Sequence, residues 1–250
     1  MPDLTMPDIT LPELVRNGTM SEQMAAVLWS AAAERRWFIV AAQPRKAGKS
    51  VVSDATLHFA PAGTPIHRLN GEIEEMERLA RSPDGGYLVV GEISPGRPER
   101  YIWGDGVTVL FNTLNTGYAL STTLHATSVE GVFDQICLQN GVSDANVGKI
   151  EYVAYVERFG GDPDGVDDDD LYWRRVTGLY EVAGVHDGLP DARLLSRWVE
   201  ADDCFVQEQS PRMLDAGENT LAARARRIRE LADAGRTGLA DIETLREGSN

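Results

Sequence analysis

Gly48-Lys49-Ser50 close the stretch Gln43-Pro44-Arg45-Lys46-Ala47-Gly48-Lys49-Ser50, whose residue types suit an anion such as a chain of phosphates. Ahead of it runs Trp37-Phe38-Ile39-Val40-Ala41, apolar and of strand length, and behind it Val51-Val52-Ser53-Asp54-Ala55-Thr56-Leu57 can open a helix. Backbone N–H groups at a helix N-terminus point at an anion, and the helix dipole favours negative charge there. Lys49 would reach the β- and γ-phosphates, and the Ser50 hydroxyl would ligate Mg²⁺. Two more side chains stand where chemistry is done. Glu92 ends the apolar run Tyr87-Leu88-Val89-Val90-Gly91, and His125 follows Gly117-Tyr118-Ala119-Leu120-Ser121-Thr122-Thr123-Leu124. The carboxyl ends of buried strands are where open α/β sheets bind ligands. Taken singly, either residue is equally well a polar group at a strand end.

A strand, a tight loop ending in Gly-Lys-Ser and a helix match the phosphate-binding loop of nucleoside triphosphatases. Residues Gln43, Pro44, Arg45, Lys46, Ala47, Gly48, Lys49, Ser50 and Val51 are the expected ATP contacts, with Ser50 and Glu92 on Mg²⁺. One position departs from the motif: its leading Gly, which relieves strain in a tight turn, is Gln43 here. Lys46, Lys49 and Lys149 are the only lysines in an otherwise Arg-based chain, and two of these lie in this loop.

The elements around these residues alternate as an α/β fold does. A helix is expected over 20–36, with Met24, Val27, Leu28 and Ala31 on one face. Thr10-Leu11-Pro12-Glu13 has capping spacing for a short helical turn before it. After the loop and its helix come a short strand at 65–69, the Asn70-Gly71 turn and an acidic helix over 72–81 with Ile73, Met76 and Leu79 inward. A helix is expected over 129–138 and a strand over 150–159. Gly160 to Asp170 is acidic and Gly-rich; it lacks the fixed acid positions of an EF-hand and reads as a solvated hairpin loop. Two antiparallel strands, over 172–182 and 194–198, follow around the turn His186-Asp187-Gly188, and two Arg- and Ala-rich helices over 221–245, broken at 235–238, form the tail.

Composition bounds the alternatives. With 250 residues, 42% hydrophobic and 25% charged, the chain suits a globular domain with an appendage. A net charge of −15 argues against general nucleic-acid binding, which needs a basic face. No apolar run approaches the length needed to span a bilayer. Cys137 and Cys204 lie far apart in apolar settings and are expected to be small buried hydrophobes in a reducing compartment.

The order of phosphate loop, acidic helix, strand ending in Gly91-Glu92 and strand ending in His125 resembles the secretion ATPases that power type II secretion, type IV pili and some type IV secretion systems. The strongest matches are Ser82-Pro83-Asp84 with Leu88-Val89-Val90-Gly91-Glu92-Ile93, which resembles the family's Walker B strand, and Thr116-Gly117 through Ser121-Thr122-Thr123-Leu124-His125-Ala126, which resembles its histidine box. The resemblance covers roughly residues 25–200. It implies a RecA-like core with a mainly parallel sheet flanked by helices, an antiparallel hairpin and a small C-terminal helical appendage. It also implies that Glu92 holds Mg²⁺ or polarises the attacking water and that His125 senses the γ-phosphate. Partners would be further copies in a homo-oligomeric ring, or other secretion or pilus subunits. The location would be cytoplasmic, with membrane association only through partners.

Three departures bear on catalysis. Ser94-Pro95 replaces the Arg-Asp that follows Gly-Glu-Ile in the family. At the family's acidic box the local alignment puts Asn70 at the general base and Glu74 at the second acid, and a shift of two residues offers Glu72 instead. Asn cannot accept the proton. The residues ahead of Trp37 are too few for the separate N-terminal domain that supplies arginines in the family, so ATP is expected to bind well and turn over slowly without an outside arginine. Arg35, Arg36, Arg174 and Arg175 are the candidates within the chain. The expected divisions are an arm over 1–20, the ATPase core over 21–205 and a helical appendage over 206–250.

Overall fold

A computed structural model describes residues 8–43, 46–96, 101–161 and 172–247. The chain opens with two short helices, α1 (Leu11–Arg16) and α2 (Glu22–Ala33). The Thr10 hydroxyl accepts from the Glu13 N–H with Pro12 in the first turn, and the Ser21 hydroxyl accepts from Met24 N–H at 3.1 Å. Those caps set the helix starts, and the second lies a residue or two inside the expected range. Next come β1 (Trp37–Ala42), α3 (Lys49–Leu57), β2 (Ile66–Arg68), α4 (Ile73–Arg81), β3 (Tyr87–Ile93), β4 (Tyr101–Ile102), α5 (Asp105–Leu114) and β5 (Ala119–His125). Then follow α6 (Val129–Asp134), a π turn at Gln135–Gln139, α7 (Asp144–Val147) and β6 (Ile150–Gly160). The chain ends with β7 (Tyr172–His186), β8 (Leu189–Val199), β9 (Cys204–Gln207), α8 (Glu218–Asp233) and α9 (Leu239–Glu247).

Among the described residues one sheet runs in the order β2-β3-β5-β1-β6-β7-β8-β9, with β4 beside the end of β3. β1 to β6 pair in parallel, and β7 to β9 continue antiparallel. This is the α/β class expected. β1 is buried at every position, as its unbroken apolar run implies. One strand, β5, stands between β1 and β3, so the phosphate-loop strand and the strand bearing Glu92 are next-but-one neighbours.

The last helices are part of the same core. Ile228, Leu231, Ile242 and Leu245 join the apolar cluster that holds Phe38, Val40 and Leu124, and α8 lies along α1 and α2. The Glu34 carboxylate accepts from Asp215 and Ala216 N–H at 2.8 and 2.9 Å, fixing the entry to α8. The Thr10 hydroxyl donates to the Thr237 carbonyl at 2.7 Å, tying the first helix to the last turn.

The helix expected over 129–138 is α6 continued by one π turn over Gln135–Gln139, on which Leu138 is 69% exposed. One expectation needs correction. Both cysteines are free, but only Cys137 is buried. Burial, then Asp144 and Asp134, push its thiol up to about 11. Cys204 is exposed because β9 is the edge of the sheet, where one row of side chains lacks a neighbouring strand. Most of the acidic stretch after Gly160, and the loop residues Pro44 and Arg45, lie outside the described residues.

Candidate nucleotide site

β1 hands the chain to α3 through the loop at Gln43 to Gly48. Gly48 is the N-cap of α3 with φ 95°, a left-handed conformation that Gly adopts without penalty. A Cβ there would also stand 2.8 Å from the Arg174 Cδ, so both backbone and neighbour demand Gly. Lys46 is likewise left-handed, with φ 59°. Gln43 is not in that region. The absent leading Gly therefore leaves no left-handed residue to be strained at position 43.

Lys49, in the first turn of α3, is 7% exposed and points at the carboxyl ends of β3 and β5. Its Nζ lies 3.4 Å from Glu92 Oε2 and 2.9 Å from His125 Nε2. The β3–β5 ladder shifts register between Val90 and Ile93, where Gly91 and Glu92 fall. Such irregularities re-aim a side chain next to a site, and Glu92 is 6% exposed here. The freed Gly91 carbonyl accepts from the Thr123 hydroxyl at 2.7 Å. His125 pairs in register with Ala42 at the end of β1. Its Nδ1 faces the Ala42 and Gln43 carbonyls at 3.2 and 3.1 Å. Carbonyls only accept, so in the neutral ring the proton belongs on Nδ1 and Nε2 is left to accept from Lys49. Gln135, in the π turn, donates to the His125 carbonyl and holds the end of β5 from behind.

These groups line a cavity of about 530 Å³ together with Ala47, Ser50, Val51, Ser94, Pro95, Tyr101 and Arg174, a size that suits a small-molecule ligand. Of the expected loop contacts, Lys46 to Val51 face this cavity, Gln43 does not line it but has its carbonyl against His125 Nδ1, and Pro44 and Arg45 lie outside the described residues. Glu72 and Glu74 do not line it. Both are exposed at the start of α4, where the Asn70 side chain accepts from Glu72 N–H at 2.8 Å.

A comparison with solved structures finds similar chains. Similar chains include the VirB11 ATPase from the Brucella suis type IV secretion system, at TM-score 0.44 and 16% identity over 65% of this chain and 54% of that one. The ATPase DotB of Legionella pneumophila follows at 0.40 and 12%, over 58% of this chain and 46% of that one. DotB of Yersinia pseudotuberculosis stands at 0.39 and 10%, over 88% and 52%. The chain spans about half the length of each. No protein-family model and no curated protein matches it.

The donor set fits Mg²⁺ in kind. The Ser50 hydroxyl, beside the loop, and the Glu92 carboxylate are hard oxygen donors on one cavity. No group of three or more His, Cys, Asp or Glu among the described residues could hold a metal by itself. Mg²⁺ ordinarily takes one or two protein oxygens and completes its shell with water and phosphate. Around the site, the Ser53 and Ser121 hydroxyls bond at 2.7 Å and fix α3 to β5. Asp54, a residue later and 7% exposed, accepts from Arg68 at 2.6 Å. The Asp54–Arg68 pair, which ties α3 to β2, carries no motif and is read only from the structure.

Of the four candidate arginines, only Arg174 lines the cavity. Arg36 is held by Glu34, Glu151 and Asp215, and Arg175 by Asp203. Arg35 lies near Gly85 and Gly117 at the opposite ends of β3 and β5.

Proposed function

We propose that this chain binds Mg-ATP and hydrolyses it as an ATPase subunit of a secretion or type IV pilus-like system. It would act in a homo-oligomeric ring or with other subunits of such an assembly, in the cytoplasm. The observation that carries the reading is the convergence of Lys49, Glu92 and His125 on the helix N-terminus that follows β1. Three separate motifs, from three strands, meet in one cavity. An ammonium aimed where phosphates bind, a carboxylate beside it and an imidazole bridging to the loop carbonyls form a set suited to phosphoryl chemistry. The residues expected to hold Mg²⁺ are Ser50 and Glu92, and the metal would neutralise charge on the phosphate chain.

The test is ATP affinity by calorimetry for wild type and Lys49→Ala. Losing a charge-assisted contact to phosphate costs about 1.5–3 kcal/mol, so the variant should bind about ten- to a hundredfold more weakly. Equal affinities would remove the phosphate loop from the site and the reading with it.

A second reading, a nucleotide-binding but hydrolysis-poor regulator, is favoured by Glu72 and Glu74 lying away from the cavity with Asn70 between loop and helix. Tight ATP binding without measurable turnover, alone or with partner subunits, would select it.

A further inference from the structure

The β6–β7 hairpin overhangs the phosphate loop. Tyr155 of β6 is level with Ala41 of β1, and β6 continues to Gly160 beyond that point. At about 3.3 Å per residue the overhang is roughly 15 Å. It projects past the carboxyl ends of the parallel strands, on the side where the loop lies. Along it, Arg158 pairs across the ladder with Arg174, and Tyr172 sits two residues from Arg174 on the same face. The Tyr172 ring has the Arg158 guanidinium at 4.3 Å and that of Arg174 at 4.8 Å. Arg174 is thus held from behind by an aromatic ring, with its fork directed at the loop.

There it donates from Nε and Nη2 to the Lys46 carbonyl at 3.3 and 3.1 Å, and its Cδ packs over Gly48. A guanidinium has five N–H donors in a planar fork that matches phosphate oxygens. The described hydrogen bonds of the Arg174 fork use only Nε and Nη2. The cavity it shares with Lys49, Ser50 and Glu92 is the one that would hold the phosphates. We propose that Arg174 is a phosphate-binding arginine supplied in cis by the β6–β7 hairpin, clamping the phosphate chain of a nucleoside di- or triphosphate from the side opposite Glu92. The proposal rests on the nucleotide-site reading above. It places a positive fork within this chain beside the phosphate loop.

The experiment compares ATP, ADP and AMP affinities of wild type, Arg174→Gln and Arg174→Lys by calorimetry, with circular dichroism confirming that each folds. Gln keeps an N–H donor at the Nε position, which faces the Lys46 carbonyl, but loses the charge and the outer nitrogens; Lys keeps the charge but not the planar fork. A phosphate contact predicts that Gln loses about ten- to a hundredfold in ATP and ADP affinity, that Lys loses less than Gln, and that AMP is affected least. Wild-type affinity in Arg174→Gln, or a loss in Arg174→Lys equal to that in Arg174→Gln, would overturn the proposal while leaving the nucleotide site standing. No binding of any nucleotide by the wild type would overturn both.

Discussion

Glu92 and Lys49 pair at 3.4 Å in a cavity that shields both from water. A nucleotide entering this cavity would offer Lys49 the phosphates instead and release the carboxylate toward a water or metal. Removing a general base typically slows a reaction by about 10²–10⁴-fold. Glu92→Gln should therefore retain ATP affinity while its single-turnover hydrolysis falls by that range. An unchanged rate would make Glu92 only the resting partner of Lys49. At this scale the trio that meets in the cavity is legible in the sequence, since Gly-Lys-Ser, Gly-Glu and Leu-His each end a recognisable run. Arg174 is legible only as one of four arginines. Its place over Gly48 depends on the register of β6 against β7, which no local pattern encodes.

The antiparallel strands that carry Arg174 are anchored by another buried acid. Glu181 of β7 is 1% exposed and accepts from Arg193 of β8 at 2.6 Å. Its other oxygen takes the N–H groups of Arg212 and Met213 at 2.8 and 2.9 Å and the Tyr152 hydroxyl at 3.2 Å. Burial and then the Glu181 charge push the Tyr152 phenol up, so it stays a donor across the usable pH range. One carboxylate thus joins β6, β7, β8 and the segment leading to α8. Glu181→Ala would leave Arg193 partly buried without its counter-charge, and breaking such pairs costs about 3–5 kcal/mol. Urea unfolding should show the midpoint fall accordingly, and a wild-type midpoint would mean that the segment anchors elsewhere. β7 and β8 are legible in part from their apolar runs, and the hairpin turn from Asp187-Gly188, whereas both strands run longer than expected and β9 is read only from the structure. The bulge at Gly91-Glu92 and the π turn behind His125 are not, because both arise from fitting neighbouring elements rather than from local propensity. Cys204 is misread for a related reason: Phe205 and Val206 make its surroundings look apolar, yet an edge strand leaves it exposed.

Across the whole molecule, helices from the two ends of the described chain pack on one another, with α8 against α1 and α2. α8 buries Ala225, Ile228, Leu231 and Ala232 at helical spacing, and the Arg224 guanidinium donates to Ser30 at 2.6 Å while lying over the Trp29 ring. Trp29 in turn packs on Phe59, just beyond α3. The tail therefore connects through Trp29 to Phe59 beyond the helix of the phosphate loop, and the division of the chain into a core and an appendage becomes a question of cooperativity. If α8 and α2 stabilise one another, they should unfold together. Ile228 is fully buried, and Ile→Ala at such a site costs about 2–5 kcal/mol. In Ile228→Ala, tryptophan fluorescence, which includes Trp37 of β1, and far-ultraviolet circular dichroism should show one coincident urea transition at a lower midpoint. An early helical transition, followed by a fluorescence transition at the wild-type midpoint, would instead make residues 206–250 an independent appendage.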